Sequence, residues 1–239
     1  MKRVLIIGGS GGIGRATVEK FAQKGHLVVF TYHRSSAEAA SIAAATGAKA
    51  ISCDVTDRTS VSRCVEQAIK LLGGAIDVLV NCVGIAEIKL FTDLSDEDWS
   101  RMINTNLSSV FCITREVVPH MIRRHKGRIV NVGSMWGKVG ASCEVHYSAA
   151  KAGIEGFTKA LAKELGPSDI TVNCVEPGVI DTPMNQALDE STRRALCDET
   201  PLCRIGKPCE VAEAIYFLAS DRASFITGQI LGVDGGYAI

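Results

Sequence analysis

The chain has no apolar run long enough to cross a bilayer, and no secretory leader pattern at its start. Lys2 and Arg3 precede only four apolar residues, 4–7, before Gly8, too few for a signal-peptide core. No Cys-x-x-Cys spacing occurs, although nine cysteines are present. Their number is odd, and Cys53, Cys82 and Cys174 fall in apolar stretches where a thiol behaves as a small hydrophobe. Neither a disulfide framework nor a metal site is expected. His120 and His125 are five apart and lie on different helix faces, which argues against zinc. Reduced thiols without a leader predict a cytoplasmic protein. Charge of neither sign is in excess: 26 Lys and Arg balance 26 Asp and Glu, which leaves no electrostatic footprint for nucleic acid. Proline is scarce at six residues, and no Pro- or Ser-rich linker or internal repeat interrupts the chain. Residues 1–239 are therefore expected to form one domain around one large core.

What is present is alternation. Apolar runs at 4–7, 27–30, 50–53, 78–80, 129–132, 171–175 and 230–233 are mostly continuous, as in strands covered on both faces. Helical segments between them, joined by right-handed crossovers, predict an α/β fold: a single-domain, Rossmann-like, doubly wound parallel seven-stranded sheet with helices on both faces. One long helix is expected from Asp96 to the basic run Arg123-Arg124-His125-Lys126, kinked at Pro119, with the cations complementing its C-terminal dipole. Ligands in such sheets bind beyond the carboxyl ends of the strands.

The first strand runs into Gly8-Gly9-Ser10-Gly11-Gly12-Ile13-Gly14, with a helix expected from Arg15 to Lys24. Glycines permit a tight turn and close approach to a pyrophosphate, which a helix N-terminus then binds through free N–H groups and its dipole. Both Gly9-x-Gly11-x-x-Gly14 and Gly8-x-x-x-Gly12-x-Gly14 fit a dinucleotide loop. The second strand ends at Thr31-Tyr32-His33-Arg34, with no acidic residue before Glu38 to take ribose hydroxyls. The Arg34 guanidinium suits a 2′-phosphate instead, so NADP(H) is favoured over NAD(H). Asp54 could receive the adenine amine, whereas Asp57, after Thr56, has the form of a helix N-cap.

Ser134, Tyr147 and Lys151 carry the chemistry. Tyr147 and Lys151 are four apart in a helical stretch and share a face. A free phenol has a pKa of about 10, and a neighbouring cation lowers it. Lys151 is thus expected to make Tyr147 a better general acid for reducing a carbonyl, while Ser134 hydrogen-bonds the substrate oxygen as charge develops. Because each of these residues is also common on solvated helix faces, the joint spacing is the signal.

These motifs, in this order, resemble the short-chain dehydrogenase/reductase family, non-extended type, over nearly the whole chain. The resemblance is nearest to the 3-oxoacyl-[acyl-carrier-protein] reductases of fatty acid biosynthesis, through Arg204-Ile205-Gly206-x-Pro208, Ile226-Thr227-Gly228-Gln229 and Val233-Asp234-Gly235-Gly236. It implies strand order 3-2-1-4-5-6-7 and a cofactor site of Gly8, Ser10, Gly12, Ile13, Gly14, Arg34, Asp54, Val55, Asn81, Gly84, Tyr147, Lys151, Pro177, Gly178, Ile180 and Thr182. Asn106, Ser134, Tyr147 and Lys151 would be catalytic, Asn106 holding a water in a proton relay to Lys151. Residues 184–202 would cover the substrate, with Met135, Trp136, Glu144, His146 and Met184 lining its pocket. The implied substrate is a 3-oxoacyl thioester, with acyl carrier protein as a partner and a homotetramer as the assembly. Alternatives are another small ketone or alcohol with NAD(H), and a nucleotide-binding scaffold without turnover. Three departures stand out. Asn81-Cys82-Val83-Gly84 replaces Asn-Asn-Ala-Gly, Gly11 stands where NADPH-preferring relatives often carry a cation, and Ser168-Asp169 replaces a basic docking residue.

Overall fold

The computed structural model describes residues 1–185 and 188–239; Gln186 and Ala187, inside the expected substrate-covering segment, lie outside the described residues. In chain order the elements are β1 (Arg3–Ile7), α1 (Gly12–Gln23), β2 (Leu27–Tyr32), α2 (Ser36–Thr46), β3 (Lys49–Ser52), α3 (Arg58–Leu71) and β4 (Val78–Asn81). They continue with α4 (Asp96–Ile103), α5 (Ser109–Ile122), β5 (Gly127–Val132), α6 (Met135–Val139) and α7 (Val145–Leu165). The last four are β6 (Ile170–Pro177), α8 (Glu190–Glu199), α9 (Pro208–Leu218) and β7 (Ile230–Val233).

All seven strands are parallel in one sheet ordered β3-β2-β1-β4-β5-β6-β7, the expected order. Strand periodicity sends alternate residues to opposite faces. Leu5, Ile7, Leu79 and Ile129 pack with residues of α3, α5 and α7, whereas Val4, Ile6, Val78 and Val130 pack with α1, α2 and α9. Every residue of β4, β5 and β6 is buried, as the continuous apolar runs require. β7 differs. Among the described residues it pairs only with β6, and Leu231 and Gly232 are exposed, so it is an open edge rather than a strand covered on both faces.

Three further expectations are corrected. α1 begins at Gly12 rather than Arg15, with Gly11 as N-cap, because the loop glycines themselves enter the first turn. The long helix from Asp96 is interrupted by a π-turn over Asn104–Ser108, and it ends three residues after Pro119. Cys82 follows β4 instead of lying within it and is only half-buried. Asp57 is the N-cap expected from the sequence, accepting from the Thr59 and Ser60 N–H groups at the start of α3, and Ser95 with Asp98 forms a capping box on α4.

Candidate active site

The loop between β1 and α1 is fixed by contact. A Cβ on Gly14 would lie 2.1 Å from the Gly8 carbonyl oxygen, so only glycine lets the helix close on the turn. A Cβ on Gly12 would lie 2.5 Å from Thr182 Cγ2, which places the loop directly against the 177–182 segment. Thr31 at the end of β2 fastens the loop: its hydroxyl accepts from the Gly8 N–H and its carbonyl from the Gly9 N–H, both at 2.9 Å. Nothing in the sequence marked Thr31 for this. Ile13 packs against the core and Ser10 is half-buried at the loop.

Arg34 is exposed just beyond β2, in no ion pair among the described residues, and its charge acts on Asp54. Asp54 Oδ1 accepts from the Thr56 N–H and hydroxyl at 2.9 and 2.7 Å. Those bonds, together with His33 and Arg34, hold its carboxyl below the usual range. The next residue, Val55, packs on the core. The N-terminus of α1, whose first N–H groups have no intrahelical partner, and a guanidinium in no ion pair among the described residues form a donor set that fits a dinucleotide with a 2′-phosphate.

Asn81 ends β4, with its Oδ1 buried and unpaired among the described residues. Its Nδ2 donates to Asn131 Oδ1 at 2.8 Å and Thr114 Oγ1 at 3.2 Å, and Asn131 donates in turn to Thr158 on α7. Asn131 was not singled out from the sequence, although an asparagine in register with Asn81 inside an apolar strand was a signal. Gly84 lies between Asn106 and Lys151: a Cβ there would meet Asn106 Oδ1 at 2.7 Å and Lys151 Nζ at 3.4 Å. Asn106 occupies the π-turn and is wholly buried. Its carboxamide accepts from the Ile85 N–H and donates to the Ile85 and Met102 carbonyls, all at 3.1 Å. The extra backbone residue of a π-turn is what aims this side chain inward.

Ser134 caps α6, its Oγ accepting from the Trp136 N–H at 3.2 Å. Tyr147 and Lys151 rise from the first turns of α7, both buried, with Nζ 5.6 Å from the phenol ring centroid and donating to the Val132 carbonyl at 3.0 Å. Here the electrostatic expectation is reversed. Burial pushes Tyr147 up to about 12; a Ser134 hydrogen bond pulls it down and the Glu144 charge adds to the rise. Burial also lowers Lys151, so the enclosure opposes both charged forms.

At the end of β6, the Gly178 N–H donates to the Val233 carbonyl at 3.1 Å, after Pro177 closes the strand. The Ile180 carbonyl accepts from Asn185 Nδ2 at 2.8 Å, and Thr182 is half-buried beside Gly12. Of the expected pocket residues, Trp136 and Glu144 are half-buried and Met184 is exposed, whereas Met135 is buried beneath α6. His146 does not line an open pocket: it is 0% exposed, with Nε2 turned 3.8 Å from the Glu87 carboxylate. The basic run also behaves differently from a free patch. Arg124 bonds Asp77 and the Ile76 carbonyl, and Arg123 contacts His120, near the amino ends of β4 and β5, whereas Ser134 follows the carboxyl end of β5. No helix among the described residues is long and apolar enough to cross a membrane. They also contain no cluster of metal-ligating side chains.

The glycine loop, Asn81, Ser134 and Pro177 thus meet at the carboxyl ends of β1, β4, β5 and β6, the arrangement of a doubly wound nucleotide-binding oxidoreductase. The family described as enoyl-(acyl carrier protein) reductase matches residues 8–238. The chain belongs to the short-chain dehydrogenase/reductase family and is an NAD(P)-dependent oxidoreductase of the ketone and alcohol pair. It is 43% identical to the 3-oxoacyl-[acyl-carrier-protein] reductase of Thermotoga maritima, over 100% of this chain and 98% of that protein. It is 41% identical to the Escherichia coli protein of the same name, over 98% and 96%. A crystal structure of 3-oxoacyl-[acyl-carrier protein] reductase from Brucella melitensis superposes with TM-score 0.93 at 32% identity, covering 100% of this chain and 91% of that one.

Proposed function

We propose that the protein reduces the ketone of a 3-oxoacyl thioester to a secondary alcohol with NADPH. The observation that carries this is the convergence of Ser134, Tyr147 and Lys151 in one buried cluster, with the glycine loop and Arg34 also at the carboxyl ends of the strands. NADPH, when bound, supplies the hydride. Gly8 to Gly14 and the α1 N-terminus would hold its pyrophosphate, Arg34 its 2′-phosphate, and Asp54, Val55, Asn81, Gly84, Pro177, Gly178, Ile180 and Thr182 would line its remaining length. Tyr147 donates the proton to the substrate oxygen, Ser134 orients that oxygen, and Lys151 balances charge as the phenolate forms. Asn106 fixes the wall behind Lys151 and would carry the proton relay through a water. Two hydroxyls facing one oxygen suit a carbonyl, so ketone reduction is preferred over the double-bond reduction in the family description.

The relatives' names point to an acyl carrier protein as the substrate's bearer. A second reading, reduction of a small free ketone, is favoured by one observation: Arg124 is committed to Asp77, and Ser168-Asp169 adds no cation beside it. The test is an assay of purified protein with NADPH and NADH against acetoacetyl-coenzyme A, acetoacetyl carrier protein and small ketones. The expected result is thioester reduction with NADPH preferred at least about tenfold in kcat/KM, a preference reduced in Arg34→Ala. Turnover of small ketones alone selects the second reading. NADPH binding with no reduction would mean a scaffold.

A further inference from the structure

α8 stands at the substrate end of the molecule without a core of its own: none of its residues is buried. Its position therefore depends on a few polar ties. At its N-terminus Asp189 caps the Thr192 N–H, and Arg193 reaches Asp181 at 3.3 Å. Its C-terminal end is held by the chain's last residues. The Asp234 carboxylate accepts from the Gly236 and Ala238 N–H groups, both at 3.0 Å, curling 234–238 into a compact hook. The hook fits tightly under the end of α8, where a Cβ on Gly235 would lie 2.6 Å from Thr200 and the Leu202 N–H donates to the Gly235 carbonyl at 3.2 Å. On its other side, Lys138 of α6 bonds the Ala238 carbonyl. Tyr237 joins the two. Its ring meets Trp136 edge-on, at 5.4 Å and 90°, and its hydroxyl donates to Glu199 at 2.6 Å.

We propose that Tyr237 is a positioning residue: through Trp136 and Glu199 it clamps α8 to the helix that Ser134 caps, and so sets how tightly the site holds its substrate. The proposal rests on the reading that residues 184–202 cover the substrate. It assigns Tyr237 no contact with reacting atoms. Because Ser134 and Trp136 are two residues apart on α6, the same clamp registers the cover against the hydroxyl that orients the substrate oxygen.

The test uses the full chain with Tyr237→Phe, Glu199→Ala, Glu199→Gln and the Tyr237→Phe/Glu199→Ala pair. Two readouts are independent of one another: steady-state kinetics with whichever ketone the unaltered protein reduces, and the rate of native-state trypsin cleavage after Arg193 and Arg194, identified by mass. Losing a hydrogen bond to a charged group should raise KM and the cleavage rate by about tenfold in Tyr237→Phe, with kcat and NADPH affinity within about twofold. Glu199→Gln should behave as unaltered protein, since its amide oxygen still accepts. The double variant should be no worse than either single one, as expected of partners in one interaction. Unchanged KM and cleavage in Tyr237→Phe, or additive effects in the double variant, would overturn the clamp. If the unaltered protein reduces no ketone, the functional reading fails, and cleavage still decides the clamp.

Discussion

Tyr147 shows how far residue spacing carries and where it stops. The hydroxyl, phenol and ammonium were legible from Ser134, Tyr147 and Lys151 because a four-residue separation on a helix fixes their common face. The direction of the pKa shift was not, because it depends on enclosure by α6, β5 and the 82–85 turn, which no local pattern reports. A phenol held at about 12 stays protonated through the neutral range and is ready to donate. Tyr147→Phe should keep NADPH binding, measured by fluorescence, and lose at least about a hundredfold in turnover, the usual scale of general acid catalysis. Near-normal activity would place the proton donor elsewhere. Glu144 supplies a finer check. Its charge raises Tyr147, while burial raises Glu144 itself. Removing a negative neighbour favours the phenolate, so Glu144→Gln should move the alkaline limb of the kcat/KM profile to lower pH. An unmoved or upward-shifted limb would show that Glu144 does not act on the phenol.

Elements were read well where burial is symmetric and poorly where geometry is special. Continuous apolar runs located the strands to within one or two residues because β4, β5 and β6 have helices on both sides. Propensity misplaced the start of α1, since glycine is a weak helix former and Gly12 and Gly14 are kept for close approach. The π-turn around Asn106 has no sequence signature at all, for it is imposed by packing at the site. Glu176 is a second local conflict, a carboxyl in a fully buried strand, 3% exposed, with Oε1 unpaired among the described residues. Burial first, and Glu155 beside it, push it up to about 7. The native state then binds more protons than the unfolded one between about pH 4.3 and that value, so stability falls as pH rises through this window. Glu176→Gln removes that loss. It should raise stability more at pH 8 than at pH 4, seen as a larger Tm increase at the higher pH. Equal effects at both pH values would mean that Glu176 is charged or neutral throughout.

At the scale of the whole molecule, charge is balanced and each face of the sheet carries a packed core, yet apolar surface remains exposed. Among the described residues β7 offers an unpaired strand edge and bears Leu231, 39% exposed, while Phe217 on α9 and Phe225 before β7 are 37% and 104% exposed. A second apolar face lies along α4 and α5, at Trp99 and Phe111, with Phe91 before it at 67%. Open edges and exposed apolar residues mark association surfaces, and a tetramer with two-fold axes would need two such faces, each self-complementary. The homotetramer implied by the family resemblance would use both faces. Light scattering should therefore give four times the 25.4 kDa chain mass. Leu231→Arg combined with Phe225→Arg, which places charge on the β7 face alone, should halve that mass while leaving circular dichroism and the α4–α5 contact intact. A monomer from the unaltered chain would refute the assembly. A variant that stays tetrameric would mean that the β7 edge is not one of its faces.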